Sequence, residues 1–238
     1  MKVHIVGLGR LGMFLAKHFK YSGFEVSGID LNLHKKFELE DSGGSWRENS
    51  EDADAVFLAL FPEQMTIPLL RTFPAKTLLV NLSSLQRPGL KALWEAGVEN
   101  RMILSMHLMF GPVAVTASGW GGKQIVVTNS PEAVYKDIDI LLTFVRRGVV
   151  VDSMSPDEHD EKMLPHAFAF LIGKLVEIGA EGADARYLTA SAHHLLGLLD
   201  FTAGSEELQR LILSNPGLKG LFPKLMKVLG DLAKQYGW

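Results

Sequence analysis

The chain contains no cysteine, and this absence excludes disulfide bonds, thiolate catalysis and cysteine-ligated metal sites. It also lacks an apolar run long enough to span a membrane as a helix. The first residues already form a strand pattern instead of a secretory signal. Together these features predict a cytoplasmic protein without a membrane partner.

The chain carries little excess charge of either sign. Its 24 Lys and Arg residues against 27 Asp and Glu residues give a formal net charge of −3, so a general attraction to nucleic acid or anionic lipid is not expected. A length of 238 residues with 47% hydrophobic content is typical of a globular protein with one large or two modest domains. The expected partner is a small-molecule substrate.

The first thirty residues hold the most informative pattern. A short apolar strand runs directly into Gly-x-Gly-x-x-Gly, formed by Gly7, Gly9 and Gly12. A helical repeat of apolar residues follows, and a second strand pattern over 24–29 ends at Asp30. In this context the three glycines indicate a dinucleotide-binding βαβ unit. The alternative is an α/β domain whose glycines serve only packing.

Each glycine of this motif has its own expected role. Gly7 permits the tight turn, Gly9 lets the backbone approach a pyrophosphate, and Gly12 allows close packing of helix on strand. The N-terminus of the helix offers free N–H groups to the phosphates. The predicted cofactor-binding residues also include the acid and two residues at the end of the next strand: Gly7, Leu8, Gly9, Arg10, Leu11, Gly12, Asp30, Leu60 and Pro62.

Asp30 favours NAD over NADP as the cofactor. A carboxylate at this strand tip can accept hydrogen bonds from both ribose hydroxyls, whereas it repels a 2′-phosphate. His34, Lys35 and Lys36 follow closely in the sequence, so tolerance of a 2′-phosphate stays open.

The pattern along the chain changes near residue 153. Strand and helix patterns alternate before it, which is typical of a doubly wound α/β sheet, and only helical patterns follow. The sequence therefore predicts a Rossmann-type domain at 1–153 and an all-α domain at 154–238. Apolar density over 195–201 suggests a homodimer through the helical domain, with a monomer core as the alternative. Further strands are predicted at 55–60, 77–82, 102–106, 124–128 and 148–152, and further helices at 63–73, 88–96, 131–145, 156–179, 184–201, 205–214 and 219–236.

Two predicted strands end in polar residues of catalytic type. One end is Asn81-Leu82-Ser83-Ser84, and the other is Ser105-Met106-His107. Ligands of doubly wound sheets bind at such carboxyl ends. Oxidation of an alcohol by a nicotinamide needs a base for the hydroxyl proton, and histidine takes up protons near neutral pH. His107 is therefore a candidate catalytic base, with a structural histidine or a loop contact as the alternative.

With these motifs the chain resembles the prephenate and arogenate dehydrogenases, which join a dinucleotide domain to a helical domain that dimerises. Residues 107–112 match five of six positions of a family hallmark close to His-Pro-Met-Phe-Gly-Pro. Residues 81–86 match Asp-x-x-Ser-x-Lys in outline, with Ser84 in place. Residues 155–160 match a Thr/Ser-x-x-Glu-His-Asp signature. The resemblance covers the whole chain in order.

The resemblance implies NAD-dependent oxidative decarboxylation of prephenate or arogenate, a step in tyrosine biosynthesis. It implies that His107 accepts the proton of the ring hydroxyl while hydride passes to the nicotinamide. It further implies that Ser84 hydrogen-bonds His107 or that hydroxyl. His159 and Asp160 are expected to be structural residues near the site and not proton carriers.

The chain departs from the family pattern at four points. One is the family's second histidine on the long helix, for which His166 comes too early in the sequence. Gln86 replaces the motif lysine, and Leu108 replaces the proline after the histidine. Leu198 stands where the family has an arginine that holds the substrate carboxylate, and leucine cannot pair with an anion. Other residues nearby could replace that cation, although a surface or interface position also accounts for the two histidines: Arg186, His193 and His194.

Two other functions therefore remain open. One is an NAD-dependent dehydrogenase of another hydroxy acid. The β-hydroxyacid dehydrogenases share the domain order, but Lys174 does not stand in the motif of their catalytic lysine. The other is a protein that binds NAD without turnover, which the leucine at 198 favours and the presence of Ser84 and His107 opposes.

Overall fold

In a computed structural model of the chain, the structure describes residues 1–130, 136–181, 189–202 and 206–237. Within the helices of the second half, the side chains at 195, 198, 200, 201, 202 and 207 lie outside this description. The chain divides into two compact units, Met1–His159 and Asp160–Trp238.

The first unit is built on one eight-stranded sheet. Its strands are β1 (Lys2–Val6), β2 (Glu25–Ile29), β3 (Ser45–Trp46), β4 (Ala55–Leu58), β5 (Leu78–Asn81), β6 (Ile103–Leu108), β7 (Gln124–Asn129) and β8 (Val150–Ser153). They lie in the order β3-β2-β1-β4-β5-β6-β7-β8, and the first six follow the order of a doubly wound dinucleotide-binding sheet. This confirms the predicted α/β Rossmann-type fold.

The direction of the strands fixes where a ligand site can form. β1, β2, β3, β4, β5 and β6 pair in parallel, so their carboxyl ends share one edge of the sheet. β7 pairs antiparallel with β6, and β8 pairs parallel with β7. Because β1 is flanked by β2 on one side and β4 on the other, the chain reverses its direction of progress across the sheet at β1. Ligands of such sheets bind at this switch point.

Helices accompany this sheet: α1 (Arg10–Tyr21), α2 (Lys35–Asp41), α3 (Ile67–Leu70), α4 (Gln86–Glu95), α5 (Pro112–Ser118), α6 (Lys136–Val145) and α7 (Pro156–Lys162). Alternate residues of each strand face opposite sides of the sheet, and both sides are apolar. On β4, Ala55 and Phe57 belong to the layer packed against α1 and α6, while Val56 and Leu58 belong to the layer packed against α3 and α4.

Several elements differ from the sequence-based prediction, in which β3, α2 and α5 have no counterpart. The helix predicted at 63–73 consists of a 3₁₀ turn at Pro62–Gln64 followed by the single turn of α3. The long helix predicted at 156–179 is broken at Met163, because Pro165 lies in the first turn of a new helix and cannot donate to the preceding turn. β6 extends to Leu108, so His107 lies within the strand and not after it.

The second unit is helical as predicted, with α8 (Leu164–Gly179), α9 (Ala190–Thr202), α10 (Glu206–Leu213) and α11 (Gly217–Tyr236). The predicted start of α9 at 184 lies outside the described residues. A small apolar core joins α8, α10 and α11 through Ala167, Phe170, Ile212 and Leu218. No helix in the described ranges is long and apolar enough to cross a membrane.

Candidate active site

The glycine-rich turn between β1 and α1 has the geometry that its sequence predicts. Gly7 has φ of +90°, and a Cβ there would lie 2.6 Å from the carbonyl oxygen of Ala59. A Cβ on Gly12 would lie 1.9 Å from the carbonyl oxygen of Gly7. A Cβ on Gly9 would meet no heavy atom within 4 Å. The turn is therefore closely packed at its first and third glycines and open at the second, where a phosphate could approach.

Asp30 is bound to this turn directly. Its Oδ2 accepts a hydrogen bond of 2.6 Å from the N–H of Leu8, and its Oδ1 accepts one of 2.8 Å from the N–H of Asn32. Each carboxylate oxygen has two acceptor positions. Asp30 can therefore hold the glycine turn in place and still accept hydrogen bonds from ribose hydroxyls.

The first turn of α1 lies beside a cleft. Its N-cap is Gly9, which has no side chain to cap the helix, and the first turn contains no acidic residue. Helix N–H groups without such a cap attract anions. A cleft of about 410 Å³ adjoins this turn and is lined by Arg10 of α1 and by residues of α5: Pro112, Val113, Thr116 and Ala117. Arg10 adds a positive charge to this site.

The two predicted cofactor residues after β4 lie in different places. Leu60 approaches the glycine turn, since its Cδ2 would lie 3.0 Å from a Cβ on Gly7. Pro62 begins the following 3₁₀ turn. Both are partly buried. The structure therefore brings Leu60 to the turn, and the role of Pro62 in cofactor binding stays a prediction.

His107 lies near the carboxyl end of β6 and contacts a second histidine. Its Nδ1 is 3.0 Å from Nε2 of His159, and the two rings are nearly perpendicular, with an interplanar angle of 74°. Both side chains are buried, His107 to 8% and His159 to 1% exposure. His159 lies on α7, whose first turn is held by a hydrogen bond of 3.1 Å from the N–H of Glu158 to Ser155 Oγ. The predicted base therefore contacts His159, a residue that the resemblance expects near the site without naming it as a partner of His107.

Ser84 is partly buried in the turn after β5. The carboxyl end of β5 lies beside that of β6, the strand that carries His107. Both expected roles of Ser84, a hydrogen bond to His107 or to the substrate hydroxyl, stay predictions.

Gln86 belongs to a buried network of neutral polar groups. Its Oε1 accepts hydrogen bonds of 2.7 Å from both Ser105 Oγ and Thr128 Oγ1. Asn81 donates a hydrogen bond of 2.8 Å to Ser105 Oγ and accepts one of 2.8 Å from Ser83 Oγ. The network joins β5, β6 and β7. Gln86 thus has a structural role at the position where the resemblance expects a lysine.

The residues predicted to bind the substrate carboxylate belong to α9 and to the sequence before it. Leu198 lies within α9, but its side chain and the whole of Arg186 lie outside the described residues. His193 and His194 are both exposed on α9. Lys174 forms an exposed ion pair of 2.9 Å with Glu177.

Neither a protein-family model nor a curated protein sequence matches this chain. Solved structures do match it. The arogenate dehydrogenase of Synechocystis aligns over 100% of this chain and 94% of its own, with 16% identity and a TM-score of 0.67. The prephenate dehydrogenase of Aquifex aeolicus, in complex with hydroxyphenyl propionate and NAD+, aligns over 100% and 92%, with 20% identity and a TM-score of 0.72.

The fold is that of the prephenate and arogenate dehydrogenases. A 3-hydroxyisobutyrate dehydrogenase of Mycobacterium tuberculosis aligns over 90% of this chain and 74% of its own, with 15% identity and a TM-score of 0.56. Structures in complex with NADP+ match as well. At these identities the likeness concerns the fold, so function must be argued from the site.

Proposed function

We propose that this chain is an NAD-dependent dehydrogenase that oxidises and decarboxylates prephenate or arogenate. The observation that carries the proposal is that the glycine turn and His107 lie at one edge of one sheet. β1, β4, β5 and β6 are parallel neighbours in that order. Three strand spacings of ~4.8 Å place the two groups about 14 Å apart across this edge.

The residues of the turn fit a dinucleotide. Gly9 leaves open space for the pyrophosphate, and the first turn of α1 with Arg10 supplies N–H donors and positive charge. Asp30 would hold the adenine-side ribose and disfavour a 2′-phosphate. When bound, the nicotinamide supplies the hydride acceptor.

His107 would perform the proton transfer of the reaction. The substrate hydroxyl gives its proton to His107 as its carbon loses hydride. The ring carboxylate then leaves as carbon dioxide, and the electrons of the broken carbon–carbon bond complete the aromatic ring. The proton on His107 returns to the resulting phenolate oxygen. Ser84, at the neighbouring strand end, would orient the hydroxyl.

A dehydrogenase of another hydroxy acid and a protein that binds NAD without turnover are the alternatives. The sequence observation that favours them is Leu198, because a neutral side chain cannot replace a bidentate arginine–carboxylate pair. The presence of His107 beside a histidine partner favours a catalytic protein.

The test is turnover with each substrate separately. NADH formation would be followed by absorbance with prephenate and with arogenate, in the native protein and in His107→Asn. We expect turnover of at least one substrate, reduced by roughly 10²–10⁴ in the variant, with NAD affinity nearly unchanged. Binding of NAD without turnover of either substrate would favour the alternatives, and equal rates in the variant would exclude His107 as the base.

We also propose that the protein forms a homodimer through its helical unit. Support comes from α11, which exposes apolar side chains at helical spacing along one strip: Phe222, Met226, Leu229 and Tyr236. Sedimentation equilibrium at micromolar concentration should give twice the monomer mass of 26.2 kDa. Met226→Glu should shift the equilibrium toward the monomer, whereas Gln235→Glu, an exposed position on the other side of α11, controls for one added negative charge.

A further inference from the structure

We propose that His159 is a positioning residue that fixes the tautomer of His107. The inference rests on the proposed function, because it explains how His107 is kept ready to act as a base. It starts from the contact of 3.0 Å between Nδ1 of His107 and Nε2 of His159, two side chains that are almost fully buried.

The short contact restricts the protons of both rings. Two ring nitrogens at hydrogen-bond distance must share one proton, with one nitrogen as donor and the other as acceptor. Either His107 carries the proton on Nδ1 and donates to His159, or His159 carries it on Nε2 and donates to His107. A neutral imidazole carries a proton on only one of its two nitrogens. The choice therefore also decides whether Nε2 of His107 and Nδ1 of His159 carry a proton or a lone pair.

Only the first arrangement gives a base. If Nδ1 of neutral His107 carries the proton, its Nε2 holds a lone pair that can accept the hydroxyl proton of a substrate. In the second arrangement Nε2 of His107 carries the proton, and Nδ1 uses its lone pair on His159. That ring could not accept a proton without breaking the contact.

The first arrangement also survives the reaction. Once Nε2 of His107 has taken up a proton, Nδ1–H still donates to Nε2 of His159, and the bond strengthens because the donor is now charged. His159 thereby serves as the acceptor that a carboxylate provides in Ser-His-Asp triads. It must itself be neutral, with its proton on Nδ1.

The tautomer can be read without any turnover. Protein labelled with ¹⁵N in its histidine side chains would be examined by NMR as native chain, His159→Gln and His159→Phe. Gln can place an amide oxygen near the position of the lost Nε2, whereas Phe keeps the ring shape and offers no acceptor. We expect His107 to carry its proton on Nδ1 in the native protein and in His159→Gln, and to shift toward the Nε2–H form in His159→Phe.

Kinetics then separate positioning from folding. His159→Phe should lower kcat by roughly 10-fold or more and leave KM for NAD unchanged. This loss should be smaller than the roughly 10²–10⁴-fold loss of kcat expected when the base itself is removed. His159→Gln should restore most of kcat. His18→Phe, which removes another buried histidine, serves as the matched control and should keep native kcat.

Two results would overturn the inference. One is an Nε2–H tautomer of His107 in the native protein, and the other is a kcat in His159→Gln as low as in His159→Phe. A native protein with the Nδ1–H tautomer that turns over neither prephenate nor arogenate would leave the positioning role standing and contradict the proposed function instead.

Discussion

The carboxylate of Asp30 accepts a hydrogen bond of 2.6 Å from the N–H of Leu8 and so connects the end of β2 to the glycine turn. This bond gives Asp30 two separable contributions. Its charge would select the ribose of NAD against a 2′-phosphate, and its oxygen holds the turn whether or not a ligand is bound.

The native protein should therefore bind NAD more tightly than NADP, as measured by calorimetric titration of both. Asp30→Ala should narrow the difference and weaken NAD binding roughly 10- to 100-fold, since hydrogen bonds to charged groups contribute about 1.5–3 kcal/mol. Asp30→Asn keeps an acceptor for Leu8 and removes the charge, so it should narrow the preference with a smaller loss of NAD affinity. An NADP preference in the native protein would exclude the assigned role of Asp30.

Two buried histidines of the first unit make stability depend on pH. Burial lowers the pKa of both His4 and His18 to about 4, below the ordinary 6.5. Because Thr143 Oγ1 donates to the Ile140 carbonyl at 2.7 Å, its contact of 2.8 Å with His18 Nε2 requires an Nε2–H donor. The remaining His18 Nδ1 has no partner within the described residues.

The sign of the effect follows from these shifts. Between pH 6.5 and 4 the unfolded chain binds protons that the folded chain does not, so the free energy of unfolding falls as pH falls. At pH 5 each histidine would cost about 2 kcal/mol relative to pH 7.5. His18→Phe should remove roughly half of this dependence, because Phe fits between Phe144 and Trp120 and Thr143 keeps its bond to Ile140.

Urea unfolding at pH 5 and pH 7.5 measures this difference. The exposed His193→Gln controls for the loss of one histidine. An unchanged pH dependence in His18→Phe would show that His18 is not responsible for it.

The buried network around Gln86 predicts a coupled effect of charge. Gln86→Lys alone would bury an ammonium group beside Ser105 and Thr128, and Asn81→Asp alone would bury a carboxylate. Each should destabilise the protein by about 3–5 kcal/mol. The side chains of Asn81 and Gln86 both bond Ser105 Oγ, so the double variant should recover about 0.5–3 kcal/mol of the summed loss.

Chemical denaturation of the four proteins in this cycle gives the coupling energy. If the loss of unfolding free energy in the double variant equals the sum of the losses in the two single variants, Asn81 and Gln86 do not occupy the positions of an ion pair. The two amides would then serve only to fill and hydrogen-bond the ends of these strands.

The sequence predicts those parts of the structure that are determined by residues close to one another in the chain. Gly7, Gly9, Gly12 and Asp30 lie within one βαβ unit, and the strand–helix alternation around them is dictated by residues close in sequence. The antiparallel pairing of β6 and β7 has no such signal, because an apolar strand pattern does not encode direction. Pro165 could have predicted the break between α7 and α8.

Contacts between distant residues account for what the sequence could not provide at the site. His107 and His159 are 52 positions apart, and Gln86 and Thr128 are 42 apart. Only the fold brings these pairs together. From the sequence and the family resemblance, Ser84 is the expected partner of His107, and His159 is expected only as a structural residue near the site.

The leucine at 198 leads to the prediction that depends most on the proposed substrate. If the native protein binds NAD but turns over prephenate or arogenate poorly, Leu198→Arg should raise kcat/KM about 10- to 100-fold, mainly through a lower KM. The reason is that a guanidinium forms a bidentate, charge-assisted pair with a carboxylate. Leu198→Lys should give a smaller gain, because an ammonium is a point charge without that geometry.

Leu199→Arg is the matched control, since one step along α9 turns the side chain by about 100° around the helix axis. Steady-state kinetics of all four proteins with both substrates decide the matter. Equal gains from Leu198→Arg and Leu199→Arg would reflect general positive charge, and no gain from either would show that the substrate carboxylate is not bound at this position of α9.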